Sequence, residues 1–340
     1  MKITQQEGKR KSLNEALITI AALLILLALP SLTGSQKIMD FVIFAAAYGV
    51  LATALNLLIG YTGLISFGHA MFFASGAYSF GALMQSETTS VPIAIVLTLI
   101  ITATIAAVIG AICVRLSEIY FAFLTLAFQM FFHSVLLSWV EVTGGDNGLL
   151  GGIPTPVFFG INLAQAGTKY AFCVSLAILS IYLLRRIVTS HFGYTLRMIR
   201  DNERRAIFLG VNVFLTKLIC FTLSAVFASI GGIILALFIS GAYPDFAFWT
   251  TSGEAIFMVM LGGVNNFLGP LVGAILLTGL NDLVVHYTNH FGLFLGSIIL
   301  LFALVLKKGI LDFLDPVLEN LLNKKIKTPN DTSEVENSDA

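Results

Sequence analysis

Charge is what this chain has least of. Only 11% of its 340 residues are Asp, Glu, Lys or Arg, against roughly 25% in an ordinary soluble domain, while 57% are hydrophobic and the mean hydropathy is +0.91. That balance excludes a water-soluble core and points to one all-α polytopic membrane domain, to which a domain count made from soluble chain lengths does not apply. The 19 basic and 19 acidic residues cancel, so no global basicity suggests nucleic acid. Cysteine is also scarce: Cys113, Cys173 and Cys220 lie far apart in apolar runs, without CxxC or His pairing, and read as small core residues rather than ligands or disulfides. There is no Walker A loop, no GxGxxG after a strand and no HExxH, which leaves no recognisable nucleotide or metal site and no ATPase in this chain.

What the chain does have is apolar runs long enough to cross a bilayer as helices, near 16–33, 38–59, 64–84, 92–113, 119–138, 169–188, 217–240, 254–284 and 289–306. The run at 254–284 is too long for one helix and is interrupted by "GGVNNFLGP" at 262–270, so it reads as a half-helix, a turn and a second helix, giving nine to ten segments in all. "KRK" at 9–11, the arginines of the 185–216 loop and Lys307 with Lys308 place both termini and that loop in the cytoplasm, although Lys37 and Lys169 fall on the outer side. The expected organisation is a cytoplasmic N-terminus over 1–12, a transmembrane domain over 13–308, and an interfacial helix with a disordered acidic tail over 309–340.

"GYTGLISFGHAMFFASGAY" at 60–78 carries four glycines, two serines and a histidine where a span should be. Small residues permit close helix packing in lipid. Alternatively, Gly60 to Gly68 is a helix break, and non-helical backbone inside a membrane is tolerated only where protein or a wet cavity surrounds it. Broken helices also point to transport sites, so Ser66, Gly68, His69, Glu254, Gly262 and Gly263 are candidate pathway residues. For His69 the structural alternative is a neutral ring bonded to freed backbone, and for Glu254 a carboxylate favouring a helix N-terminus. His133 and Asp282 read as interfacial. The stretches 38–113 and 245–306 run in the same three directions, which suggests a parallel internal repeat. "ASG" at 74–76, with His69 and His133 in spans, faintly resembles the serine motif of a rhomboid protease, but Phe73 stands where that motif has glycine and no AxxxH-type helix follows. An intramembrane serine hydrolase acting through Ser75 is therefore a remote alternative.

The loop "SHFGYTLRMIRDNERRAIFLGVNVFLTK" is unusually regular. Leu196, Ile199, Ile207 and Phe208 suggest short amphipathic helices, Asp201 or Asn202 can cap the second, and Gly210 can end it in the left-handed conformation. It reads either as a surface helix held by anionic lipid or as a docking element for a soluble partner.

This loop resembles the coupling loop of bacterial ABC-transporter permeases. Together with "LNLLIGYTGLISFGHAMFFASGAY", "IYFAFLTLAFQ", "TGGDNGLLG", "SGEAIFMVMLGG" and "FLGPLVGA", it follows in order the signature segments of LivM-type permeases for branched-chain amino acids, from about residue 40 to 305. Arg205 departs from the usual alanine, and Ile207 with Phe208 from a smaller, more basic pair. The resemblance implies a permease subunit, not an enzyme, in the bacterial cytoplasmic (inner) membrane. Its implied partners are a LivH-like second permease, two cytoplasmic ATPases that bind ATP and Mg, and an extracytoplasmic solute-binding protein. Within a coupling loop at 190–212, it implies ATPase coupling through Arg197, Arg200, Asn202, Glu203, Ala206, Leu209 and Gly210. Close relatives carry urea or short amides, an alternative cargo.

Overall fold

A computed structural model of the chain describes residues 35–86, 89–116, 118–149, 153–154, 157–158, 161–163, 165–287, 293, 296–297, 300 and 309–312. The expected first span at 16–33, most of that at 289–306, the basic residues at 9–11 and 307–308, and the tail beyond 312 lie outside the described residues. In chain order the helices are α1 (Gln36–Thr62), α2 (His69–Gln85), α3 (Val91–Cys113), α4 (Glu118–Ser138), α5 (Val140–Thr143), α6 (Ala166–Val188), α7 (His191–Asp201), α8 (Glu203–Phe208), α9 (Val213–Ile239), α10 (Trp249–Gly262) and α11 (Gly269–Tyr287). Five of them, α1, α3, α4, α6 and α9, are long and apolar enough to cross a membrane. Between α5 and α6 the short pair β1 (Val157–Phe158) and β2 (Ile161–Asn162) forms an antiparallel ladder with Phe158 opposite Ile161.

The core is built around α1 and α9, which are apolar on nearly every face and packed on nearly every face. Around them α3 shows how lipid-solvated packing is written in sequence. Ala94, Thr98, Thr102, Ala106 and Gly110 recur every four residues as one buried stripe, while Ile93, Val96, Ile100 and Val108 face outward. Glycine brings α2 against α9: a Cβ at Gly76 would lie 2.1 Å from the Ser229 carbonyl oxygen, and one at Gly232 1.9 Å from that of Phe73. The two backbones touch because no side chain intervenes.

Two helices begin inside the bundle rather than at its ends. The apolar run read over 64–84 divides: α1 ends at Thr62, Gly63 caps it with φ +76°, and residues 63–68 are non-helical until His69 opens α2. Glycine adopts that left-handed angle without a Cβ clash. His69 contacts Ser224, which donates to the Ala54 carbonyl. Ala54 lies eight residues before the end of α1 and Ser224 eleven after the start of α9, or about 12 and 16 Å along their axes. Residues 63–68 therefore climb from the end of the bundle that carries α7 and α8 to its middle.

The run at 254–284 divides as expected into a half-helix and a second helix, but the half-helix starts earlier, at Trp249. Its break is a hairpin turn rather than a climb, because Gly262, Gly269 and Gly273 let α10 and α11 close directly on one another. The Ala70 N–H donates to Ser252 Oγ at 2.8 Å, so the first turn of α10 lies level with the first turn of α2. From that level α2 runs away from the arginine-bearing end and α10 runs toward it, its following turn at Val264 lying beside Gly60.

Candidate functional site

The two half-helix N-termini meet over a polar cluster enclosed by apolar residues. Neither N-terminus carries a side-chain cap, the positions before them being Gly68 and Phe248. Across from them α4 presents Thr125 and Gln129, both fully buried. Thr125 Oγ1 accepts from the Phe67 N–H at 3.2 Å, and the Thr125 backbone abuts Gly68 so closely that any Cβ there would clash. Ser252 Oγ, while accepting from Ala70, donates to Gln129 Oε1 at 2.7 Å. Serine, threonine and glutamine thus hold backbone groups that the missing helix turn leaves unpaired, as burial in a membrane requires.

Histidine 69 is fully buried and doubly engaged, with Nδ1 2.9 Å from Ser66 Oγ and Nε2 2.7 Å from Ser224 Oγ. Since the Ser224 hydroxyl proton goes to the Ala54 carbonyl, Ser224 accepts from Nε2–H, and Nδ1 is left to accept from Ser66. A neutral ring satisfies the whole network, and it pins the start of α2 to α9. Beside the junction opens a cleft of about 410 Å³ with almost entirely apolar walls, which include Ile65, Phe67, Ala122, Leu126 and Trp249.

The structure brings Ser66, Gly68 and His69 together at this junction, and Glu254, half-buried, lies just beyond Ser252 on α10. Gly262 and Gly263 are elsewhere, at the far end of α10, about 20 Å away along its axis, where they pack the α10–α11 hairpin. Thr125, Gln129, Ser224 and Ser252 went unread in the sequence; the signal was present, since each is a polar side chain within an apolar span. Ser75 bonds Thr102 Oγ1 at 3.3 Å, whereas the His69 ring is occupied by serines 66 and 224 and the His133 ring lies against Phe248. No nucleophile–base pair forms at Ser75. Among the described residues no three His, Cys, Asp or Glu side chains gather as a metal site.

At the arginine-bearing end the loop between α6 and α9 is a folded unit. Gly193 lets α7 close on the end of α6, and Leu196 and Ile199 are buried beneath it. Asn202 caps α8 by accepting from the Arg205 N–H at 2.9 Å; Gly210 leaves it at φ +84°. Several expected coupling residues turn back toward the bundle. Arg197 lies over Tyr61 and Tyr194 and donates to the Val188 carbonyl, Arg200 donates to the Gly60 carbonyl, and Ala206 is fully buried. Glu203 Oε2 pairs with Lys217 Nζ at 2.7 Å, tying α8 to the first turns of α9. What faces away is Ile207, Phe208 and Leu209, exposed by 55%, 89% and 67%.

A multi-pass helical protein whose discontinuous helices meet at a polar junction in mid-bundle, with a folded, apolar-tipped loop at one end, has the build of a membrane permease. The comparisons with known proteins agree. The family model for the branched-chain amino acid transport system / permease component matches residues 37–304, and the chain belongs to that family. It is 26% identical over 331 residues to the high-affinity branched-chain amino acid transport system permease protein LivM of Salmonella typhimurium, a match spanning 91% of this chain and 77% of the relative. The protein of the same name from Escherichia coli is 26% identical over 335 residues, with the same coverage. A probable branched-chain amino acid transport permease protein LivM of Methanocaldococcus jannaschii is 23% identical over 269 residues, covering 67% of this chain and 75% of the relative. No solved structure matches.

Proposed function

We propose that this chain is one of two membrane subunits of an ATP-driven importer of branched-chain amino acids in the bacterial cytoplasmic membrane, with both termini and the arginine-bearing loop on the cytoplasmic side. Its partners are a second, LivH-like permease, two ATPases that bind ATP and Mg, and an extracytoplasmic solute-binding protein. The observation that carries the reading is the loop. Ile207, Phe208 and Leu209 form an exposed apolar tip on a segment fastened to α1 through Arg200 and to α9 through Glu203 and Lys217. An apolar tip of that exposure suits a groove on a soluble partner, and the fastenings behind it suit a part that is pushed.

On this reading an ATPase grips Phe208 and its neighbours, and its closure moves the α7–α8 unit as one body. Arg200 and Lys217 pass that movement to α1 and α9, and Ser224 of α9, bonded to the Ala54 carbonyl of α1, holds the start of α2 through His69. Transport needs no bond chemistry in this chain, and selectivity resides chiefly in the binding protein. The test is reconstitution. Co-expression with the partner subunits yields ATP-dependent uptake of leucine, isoleucine or valine into vesicles; uptake of urea or a short amide in their place changes the cargo, and purification of the chain alone with no ATPase overturns the importer.

A further inference from the structure

The mid-bundle junction has more donors than the chain uses. Gln129 is fully buried, its Oε1 is taken by Ser252, and its Nε2 has no partner. A buried amide nitrogen left without an acceptor costs about 1–3 kcal/mol, so its persistence requires a reason. Nε2 sits on the same carboxamide carbon that Ser252 holds against the first turns of α2 and α10, and the residues that precede those turns, Gly68 and Phe248, supply no side-chain cap. Two helix N-termini and one unpartnered amide N–H₂ therefore converge, with Ser252 Oγ taking up only the Ala70 N–H. Such a site suits an anion and repels a cation.

The neighbouring cleft narrows the choice of anion. Phe67 and Trp249, which stand just before α2 and at the start of α10, both line it, so it opens beside the two N-termini. Its volume of about 410 Å³ lies within the usual range for a small-ligand site, and its walls are apolar. Phosphate or sulfate would find nothing there to replace its hydration; a carboxylate carrying an aliphatic tail fills both parts.

We propose that this junction is a binding station for the carboxylate of an aliphatic amino acid, held by Gln129 Nε2 and the N-termini of α2 and α10, with the side chain in the cleft walled by Ile65, Phe67, Leu126 and Trp249. The proposal rests on the importer reading above and names where its cargo pauses. A station of this kind binds weakly, because passage requires release.

The test uses the assembled complex in lipid nanodiscs with Ala122→Cys placed in the cleft wall, and follows maleimide labelling of that cysteine. For a site of about millimolar affinity, about 10 mM leucine slows labelling about tenfold. Leucinamide, which keeps the side chain and amine but lacks the carboxylate, leaves the rate unchanged, and Gln129→Leu or Ser252→Ala removes the protection by leucine. Equal protection by leucine and leucinamide, or none by leucine, overturns the station. ATP-driven leucine uptake by the same Cys variant separates the two ideas: uptake without protection refutes the station alone, whereas no uptake by the wild-type complex refutes the importer on which it rests.

Discussion

Replacing Phe208 tests whether the loop is a docking element or only a surface helix. The side chain is 89% exposed and follows the buried Ala206 by two residues, so it contributes little to the fold of the chain itself. If a partner groove buries it completely, the interaction is worth about 1.5–3 kcal/mol, and Phe208→Ala should weaken ATPase binding by about 10- to 150-fold. The melting temperature of the purified permease should not change. Leu196→Ala, on the buried side of the same loop, provides the contrast: it opens a cavity, costs about 2–5 kcal/mol and lowers the melting temperature before any partner is added. The assay is retention of the ATPases on tagged permease in mild detergent, with thermal melting of the permease in parallel. Unchanged retention in Phe208→Ala would refute the docking role and favour a loop lying on lipid.

Three further outcomes follow from the packing. Gly232→Ala, whose Cβ would meet the Phe73 carbonyl oxygen at 1.9 Å, should cost about 1–3 kcal/mol in thermal melting, while Gly253→Ala, with open space around it, should be nearly neutral. Glu203→Ala strands Lys217, whose side chain is only 8% exposed, and should cost about 1–3 kcal/mol, whereas Lys217→Met, which removes the buried charge, should cost less; the reverse order in melting experiments would contradict the ion pair. Arg200→Met should keep the ATPases bound and hydrolysing ATP but lower leucine uptake per ATP, because the link to the Gly60 carbonyl is lost; uptake and hydrolysis falling together would point instead to misassembly.

Five of the spans, the half-helix in the C-terminal run and the caps of the loop were legible because each depends on local chemistry: apolar length, glycine at a left-handed angle, Asn202 before α8. Phe208 was legible as part of an amphipathic pattern but not as the exposed tip, since periodicity gives a helix two faces without saying which is covered. The junction was half legible. Ser66 and His69 are sequence neighbours of the break, whereas Thr125, Gln129, Ser224 and Ser252 reach it from three other helices. A polar residue in an apolar run announces that it has a partner, but the identity of that partner is set by packing at separations such as the 155 residues between His69 and Ser224. Gly262 and Gly263 show the converse: the same glycine signal marks a close helix–helix contact at one break and a climb into the bundle at the other, because the contact partner is adjacent in one case and remote in the other.

The climb at 63–68 is what joins the loop to the junction. Arg200 holds the Gly60 carbonyl and its side chain packs beside Gly63, so the loop grips α1 at the point where helix gives way to non-helical backbone. Four to six residues beyond Gly63, Phe67 to His69 are fastened to α4 by Thr125 and to α9 by Ser224. The second route, through Lys217 on α9, reaches the same histidine from the other side. A helix in place of 63–68 would resist bending and pass a displacement along its axis; a non-helical segment held at both ends instead changes direction when its ends move. Movement of α7 relative to α9 is then taken up between Gly63 and Gly68, and the element that shifts as a result is the N-terminus of α2, which follows that segment directly.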